Sequence, residues 1–534
     1  MQWLAQPGKH TLSLLVAVCT GMAGSAVADT PPAIVVGKTP AYDVMATAQN
    51  GQSAAIAQLP RIARDVMQRS GIPGAAIAVV SQESVLFSQG FGWRSLNPKL
   101  PVDGDTVFLV ASLSKSITAS VIATQVSKNV VSWDDPVVNH LPGFRLRDGY
   151  VTRHATIGDF MAHRTGLPFT AGDDLEDIGY SRETILERLR LLPLGPFRVS
   201  YNYANFGTTT AGQAVAAAAG VPWEVLADSA LFQPLGMQHT SARYADFAKA
   251  PNRAVQHILE DGRFQALFER NADAQSPAGG VSSSANDMAK WLMFLLAQGN
   301  YAGKAVASAK SLLPALSPQA FSGPPSSPLA RPGFYGFGFN VGVNANGRTT
   351  LSHSGAFVLG TGTHFQIIPS LDIGIVVLTN GSPVGAAEAI AAEFLDLVQY
   401  GRTTRDWYAA YNAVFSGYLQ PAGDLTGKTP PPHPAPARTL SDYTGTYENP
   451  YFGRATLLQK DGRLSIELGP LPTVYALTHW NGNTFALTPR SENEPKGSRS
   501  SVQFDEKDGT VTGMTITYLN HARQGVWTRA EPTN

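Results

Sequence analysis

Apolar and polar positions change period several times along this chain, and those changes mark its elements. Ile72 to Val80 is a β-rich run opened by Gly71 and Pro73, and Ser84 to Gly92 alternates apolar and polar residues. Together they predict an antiparallel hairpin. From Ala111 to about Val126 the spacing of Ile117, Val121, Ile122 and Val126 predicts a helix with one apolar stripe. Asp134-Asp135-Pro136 starts a further segment, and residues 208–230 and 285–298 have helical texture. Strand patterns return near Tyr335 to Val343, Thr350 to His353, Thr363 to Ile368 and Ile373 to Leu378, and an amphipathic helix closes the region at about Ala387 to Tyr400. Strands therefore bracket a helical middle, and the sheet is expected to be completed by both ends of the region.

The run Thr429-Pro430-Pro431-Pro432-His433-Pro434-Ala435-Pro436 is neither helix nor central strand and reads as an extended linker. After it, turn signals at Asp461-Gly462, Asn481-Gly482 and Asp508-Gly509 separate short alternating segments such as Leu464 to Leu468 and Val511 to Leu519. That texture predicts a small antiparallel β-barrel or sandwich. The expected division is a signal at 1–28, a main domain at 41–418, a linker at 419–438 and a small β domain at 439–534.

Composition narrows the function. The 534 residues carry 40 Lys+Arg against 40 Asp+Glu, so there is no basic excess of the kind nucleic-acid binding requires. A hydrophobic share of 43% is enough for a large core, while 51 glycines and 37 prolines argue against a coiled coil or helical solenoid. Lys9 and His10, the apolar run Leu12 to Ala23 and the small residues Ala26-Val27-Ala28 read as a secretory signal, and no later run reaches the length of a membrane span. The product is expected to be periplasmic or secreted. Cys19, the single cysteine, lies inside that signal, so disulfides, cysteine catalysis and thiolate metal sites are excluded from the rest. No H-E-x-x-H, P-loop or G-x-S-x-G occurs, and Gly336-Phe337-Gly338 misses a dinucleotide fingerprint by spacing and falls in a predicted strand. No metal, nucleotide or other cofactor is implied.

Three short patterns carry chemistry. In Ser112-Leu113-Ser114-Lys115, residues i and i+3 at a helix start share a face, so the lysine amine reaches the serine hydroxyl and can activate it. Alone, S-x-x-K arises by chance on the order of once in a chain this long. In Tyr203-Ala204-Asn205, a tyrosine beside a lysine ammonium can lose its proton below its usual pKa of ~10 and act as a base. The asparagine can hold the lysine and donate to a substrate carbonyl; Tyr201 is a rival lacking the asparagine two residues on. In His353-Ser354-Gly355, a strand end can pair with an extended substrate, and Gly355 lets it approach the backbone closely.

In their order and spacing these patterns resemble the serine β-lactamase and penicillin-binding-protein superfamily, in its class C-like branch with S-x-x-K, Y-x-N and then K-T-G or H-x-G. His163-Arg164-Thr165-Gly166-Leu167 is similar to that family's H-x-S-G-L loop and Ser276-Pro277-Ala278-Gly279-Gly280-Val281 to its P-A-G-G segment; both read as structural. The resemblance spans roughly residues 55–400. It implies an α/β (α+β) fold: an antiparallel sheet flanked by helices, an all-helical subdomain, the site in the cleft between them, and here a C-terminal antiparallel β-barrel. It also implies that Ser112 is acylated, that Lys115 is its proton partner, and that Tyr203 activates the hydrolytic water or protonates the leaving group. Asn205, His353 and Gly355 would line the substrate site, with the N–H groups of Ser112 and Ala356 as oxyanion hole. Histidine stands where class C β-lactamases carry lysine, and H-x-G is similar to the D-aminopeptidases, a D-Ala-D-Ala carboxypeptidase and assorted esterases. The implied activity is an exported serine hydrolase cleaving amide bonds in small peptides, D-residue or unusual peptides among them. An esterase on short acyl esters is the alternative, with a β-lactamase or an idle penicillin-binding protein behind it. Oligomeric state is left open.

Overall fold

Gly74–Val80 and Ile373–Thr379 are buried at every position. Strands covered on both faces read as unbroken apolar runs because neither side of the pleat meets water. A computed structural model describes residues 47–531 apart from 326, 471 and 472; the expected signal lies outside them. The strands are β1 Gly74–Val80, β2 Val85–Leu96, β3 Lys99–Pro101, β4 Ala320–Gly323, β5 Gly333–Tyr335, β6 Asn340–Val343, β7 Thr349–Phe357, β8 Thr361–Ile368 and β9 Ile373–Thr379. They form one nine-stranded sheet in the order β4-β5-β6-β7-β8-β9-β1-β2-β3. Every pairing is antiparallel, and β9 joins β1 with Ala75 opposite Thr379, so both ends of the domain complete the sheet.

The pleat sends alternate residues into two cores. Ile77, Val79, Ile375 and Val377 pack under α1 (Gly51–Ser70) and the C-terminal helix Ala386–Tyr400. Ala76, Ala78, Val376 and Leu378 face the other layer, which holds α2 (Leu113–Ser127), α3 (Asn205–Ala219) and α4 (Ala285–Leu296). Helix α2 departs from its predicted single stripe: every residue from Leu113 to Gln125 is buried. Its polar side chains are matched inside the protein, Ser114 accepting from the Val281 N–H, Thr118 donating to the Pro277 carbonyl at 2.6 Å and Ser116 donating to the Gly338 carbonyl.

Two predicted elements are broken. The helix expected over 208–230 stops at Gly220, which adopts φ +71°, and restarts at Trp223 after Pro222. The strand expected over 335–343 is a hairpin whose turn contains Gly336-Phe337-Gly338, so that segment is not in a strand. Gly338 sits at φ +79°, and a Cβ there would lie 2.4 Å from the Lys115 carbonyl, so only glycine lets the turn close on α2.

After the proline run, eight strands from Gly445–Glu448 to Val526–Arg529 close into a barrel, the first pairing with the last at Tyr447 and Arg529. Its interior holds Tyr443, Tyr447, Phe485, Phe504 and Trp527. Tyr180 donates to the Phe452 carbonyl at 2.7 Å and Arg188 to that of Tyr451 at 2.6 Å, tying barrel to helical layer. Among the described residues no single helix is long and apolar enough to cross a membrane.

Asp159, fully buried, holds the segments that lead into the site. It closes a capping box with Thr156 and accepts from Arg164 at 2.7 Å and Arg198 at 2.8 Å. Burial alone would raise its pKa, but bonds from Arg198, the Thr156 N–H and Arg164 outweigh that and lower it. A folded pKa below the unfolded value of ~3.9 means that this stabilisation is present above ~pH 4 and lost as pH falls through the folded value. Asp159→Ala is expected to lower unfolding free energy by about 2 kcal/mol at pH 7, discounted because Arg198 is half exposed and can rehydrate. In denaturant titrations the gap between wild type and variant should narrow below ~pH 4.

Candidate active site

The site begins at a bend. Ala111 holds φ +48°, a left-handed conformation that costs a non-glycine residue on the order of 1 kcal/mol, and it turns the chain into α2. Ser112 occupies the N-cap of that helix. A serine there ordinarily spends its hydroxyl on a backbone N–H two or three residues on. Here Ser112 has φ −68°, ψ −3° and makes no side-chain cap bond, so its Oγ is free for chemistry while the helix N-terminus lies beneath it.

Lys115 is completely buried. Its Nζ lies 3.0 Å from Ser112 Oγ, 2.7 Å from Asn205 Oδ1 and 2.9 Å from the Ala278 carbonyl. Burial pulls its pKa down to about 7, against the attraction of Asp173. The amide oxygen and the carbonyl can only accept, so in the neutral amine they take its two protons. The remaining lone pair then faces Ser112 Oγ. Tyr203, 3% exposed, brings its hydroxyl to the same Oγ at 2.9 Å. Tyr201 does not compete for that position; its ring packs on Tyr335 at 5.6 Å.

The expectation that Tyr203 loses its proton readily is reversed. Burial pushes its pKa well above 10, further than the bond to Ser112 pulls it back, because a phenolate in a dry site has no water to solvate it. Tyr203 is a protonated donor, and Lys115 is the group poised near neutrality.

His353 lies in the middle of β7, not at its end, and is 2% exposed. Its Nδ1 is 2.7 Å from the Ser354 carbonyl, an acceptor, so Nδ1 carries the proton and Nε2 accepts from Tyr335 Oη at 2.9 Å. Burial, then the nearby Lys115, depresses its pKa to about 3. Both ring nitrogens are thus occupied within the protein, and the ring buttresses the aromatic wall behind Tyr203. Gly355 is also required by the packing of the protein itself. A Cβ on it would lie 2.3 Å from the Val110 carbonyl and 3.1 Å from the Ser112 N–H, so it lets β7 press against the nucleophile's own loop. Ala356 follows it, half buried, opposite Gly362. Asn205 bridges: Oδ1 takes Lys115, and Nδ2 donates to Asp173 Oδ2 at 2.9 Å.

Other contributors were read as structural or carried no motif. The segment Ser276–Gly279, read as structural, supplies the Ala278 carbonyl to Lys115. His163 accepts from the Ala204 N–H at 3.3 Å and lays its ring 4.4 Å from that of Tyr203. Glu492 reaches in from the barrel and accepts from the Val358 N–H, immediately after β7. Burial raises the Glu492 pKa to about 8 despite the attraction of Arg270, which is ion-paired with Glu176 at 2.6 Å. A glutamate in Ser491-Glu492-Asn493-Glu494 has no local signature of such a role.

Comparison with known proteins bears on the family and the fold. The Beta-lactamase family profile matches residues 59–400, and a domain of unknown function, DUF3471, matches residues 429–530. An unguisins hydrolase of Aspergillus violaceofuscus is 28% identical over 475 residues, covering 78% of this chain and 80% of its own. Penicillin-binding protein 4 of Amycolatopsis lactamdurans is 26% identical over 318 residues, covering 58% of this chain and 81% of its own. The octameric penicillin-binding protein homologue from Pyrococcus abyssi shares the fold, with a TM-score of 0.56 at 19% identity over 89% of this chain and 100% of the other.

Gly355→Ala is expected to push β7 off the Val110–Ser112 loop and lower kcat by about 100-fold, the scale set by ångström displacements of reacting groups. Steady-state kinetics alongside a thermal melt would separate that effect from loss of folding.

Proposed function

The chain belongs to the beta-lactamase family of hydrolases, and on that premise we propose that it is an exported serine hydrolase cleaving amide bonds in small peptides through an acyl-enzyme on Ser112. The observation that carries this reading is the pair of contacts on Ser112 Oγ, Lys115 Nζ at 3.0 Å on one side and Tyr203 Oη at 2.9 Å on the other. Lys115 takes the Ser112 proton as Oγ attacks the scissile carbonyl. The N–H groups of Ser112 and Ala356 hold the oxygen that becomes negative, reinforced by the α2 N-terminus. An amine leaves only if it is protonated. Tyr203 Oη gives its proton to the departing nitrogen and is reprotonated from Lys115, which returns to the neutral amine. Water then attacks the acyl carbonyl and passes a proton to Lys115, which returns it to Ser112 Oγ as the acyl–oxygen bond breaks.

Amides are favoured over esters by the state of Tyr203. An activated phenolate leaving group needs no proton donor, whereas an amine needs one. A β-lactam's carboxylate finds no cation at His353, which is neutral. The signal-like residues 1–28 support a periplasmic or secreted site of action, and the balanced charge and missing cofactor motifs support a reading without nucleic acid or cofactor.

Ser112→Ala should abolish serine-dependent turnover. Tyr203→Phe should lower kcat on an alanyl p-nitroanilide by about 100-fold while changing p-nitrophenyl butyrate hydrolysis far less; equal losses on both would remove the leaving-group role. Protonated Lys115 has no lone pair, so kcat/KM should fall about tenfold per unit below pH 7 and level off above it, as read from a pH–rate profile.

A further inference from the structure

On the short helix that follows Gly172 two buried carboxylate oxygens, Asp173 Oδ1 and Glu176 Oε1, have no hydrogen-bond partner among the described residues, and Asp173 is the one joined to Lys115 through Asn205. Asp173 opens the short helix Asp173–Asp177 and is 7% exposed. Its backbone is fixed from the site itself: its N–H donates to the Thr170 carbonyl at 3.0 Å, and the Thr170 N–H donates to that of Tyr203 at 2.9 Å. Oδ2 takes the Asn205 amide at 2.9 Å, and through that amide the carboxyl is one side chain removed from Lys115. Oδ1 is buried and has no hydrogen-bond partner among the described residues. A buried acceptor left unpaired is costly, and a site built around one selects a ligand that supplies the missing donor.

The surroundings specify the charge of that donor. Asp174, Glu176 and Asp177 follow on the same turn, and Glu492 approaches from the barrel. Of the nearby cations, Lys115 is committed to Asn205 and Ala278, and Arg270 to Glu176. An anion or a carbonyl brought to Oδ1 would be repelled; a neutral donor would be served equally well by asparagine. A carboxyl group in an acidic, desolvated corner is matched by a cation. Burial, then the repulsion of Glu176 and Asp177, lifts the Asp173 pKa well above the usual carboxylate range, and a cation seated there would relieve that repulsion.

Taking Ser112 as the nucleophile, we propose that Asp173 is a specificity residue whose Oδ1 receives the free α-ammonium of the substrate, so that the enzyme attacks peptides or amino-acid amides from their amino end. The Asp173–Asn205–Lys115 chain then couples recognition to reaction, because the ligand that completes Asp173 also steadies the amide holding the catalytic amine.

The test compares alanyl and dialanyl p-nitroanilides, of both hands, with the amino end free or acetylated, on wild type and Asp173→Asn. Wild type should prefer the free amino form by at least ~10-fold in kcat/KM. Asp173→Asn should bring that ratio towards one, mainly through KM of the free-amino substrate, with a thermal melt reporting that the variant is folded. Equal loss on both substrates, or a wild type preferring the acetylated form, would overturn the proposal. Should the variant not fold, competition on wild type decides: n-propylammonium should inhibit at least ~10-fold better than n-propanol, and equal inhibition overturns it. Acylation of Ser112 by p-nitrophenyl acetate, which carries no ammonium, read by mass spectrometry, tests the underlying reading separately. Without it both proposals fall; with it, a failed preference removes Asp173 alone.

Discussion

A lysine amine sealed from water, with acceptors waiting for two of its protons, is the constraint around which this molecule is arranged. Free in solution Lys115 would be a cation and useless as a base. Removing it from water makes the charged form expensive, and the Asn205 amide and Ala278 carbonyl then fix how the neutral form points. That arrangement requires α2 to be covered on all sides, which explains a helix that carries Ser114, Ser116, Thr118, Ser120 and Thr124 yet exposes none of them. Ser120 and Thr124 bond back to carbonyls of their own helix, while the hydroxyls that reach outside it pull loops onto it. Thr118 draws in Pro277 and with it Ala278; Ser116 draws in the Gly338 turn.

The same dryness settles the division of labour between lysine and tyrosine. Burial shifts both pKa values, but in opposite senses, because it penalises whichever form is charged: the lysine moves down towards neutrality and the tyrosine moves up, away from it. The pair therefore presents a base and an acid at one oxygen. The histidines of the aromatic wall, His163 and His353, are neutral for the same reason and add no competing cation.

The barrel participates in this construction. Its Glu492 caps the turn after β7, the strand pressed on the nucleophile's loop, while Tyr451 bonds to Asp174 and Ser491 and Asn493 bond to Asp177 on the acidic helix beside Asn205. A domain without a catalytic motif thus braces the site on two sides, which gives the β-barrel a physical reason to be joined to the hydrolase.

What could be read along the chain is what local physics writes there. The doubly buried strands, the hairpin of β1 and β2, the helices from residues 113 and 285 and the alternating strands after the proline run follow from periodicity, since each face that meets core or water repeats at a fixed spacing. Ser112 with Lys115, and Tyr203 with Asn205, were legible as pairs because spacing on a helix start or a tight segment is itself geometry. Two elements misread from pattern, the helix past Gly220 and the hairpin at 336–339, turn on glycine conformations and on contacts with α2 that no window of sequence contains. Tertiary structure alone decided the protonation states, the service of Gly355 to the nucleophile's loop, the inward engagement of His353, and the roles of Asp173, Ala278 and Glu492. Those depend on burial and on partners that are 32 residues away for Asp173 and Asn205, 163 for Lys115 and Ala278, and 134 for Glu492 and Val358. A pKa or a hydrogen bond is a property of surroundings, and the surroundings exist only once the chain has folded.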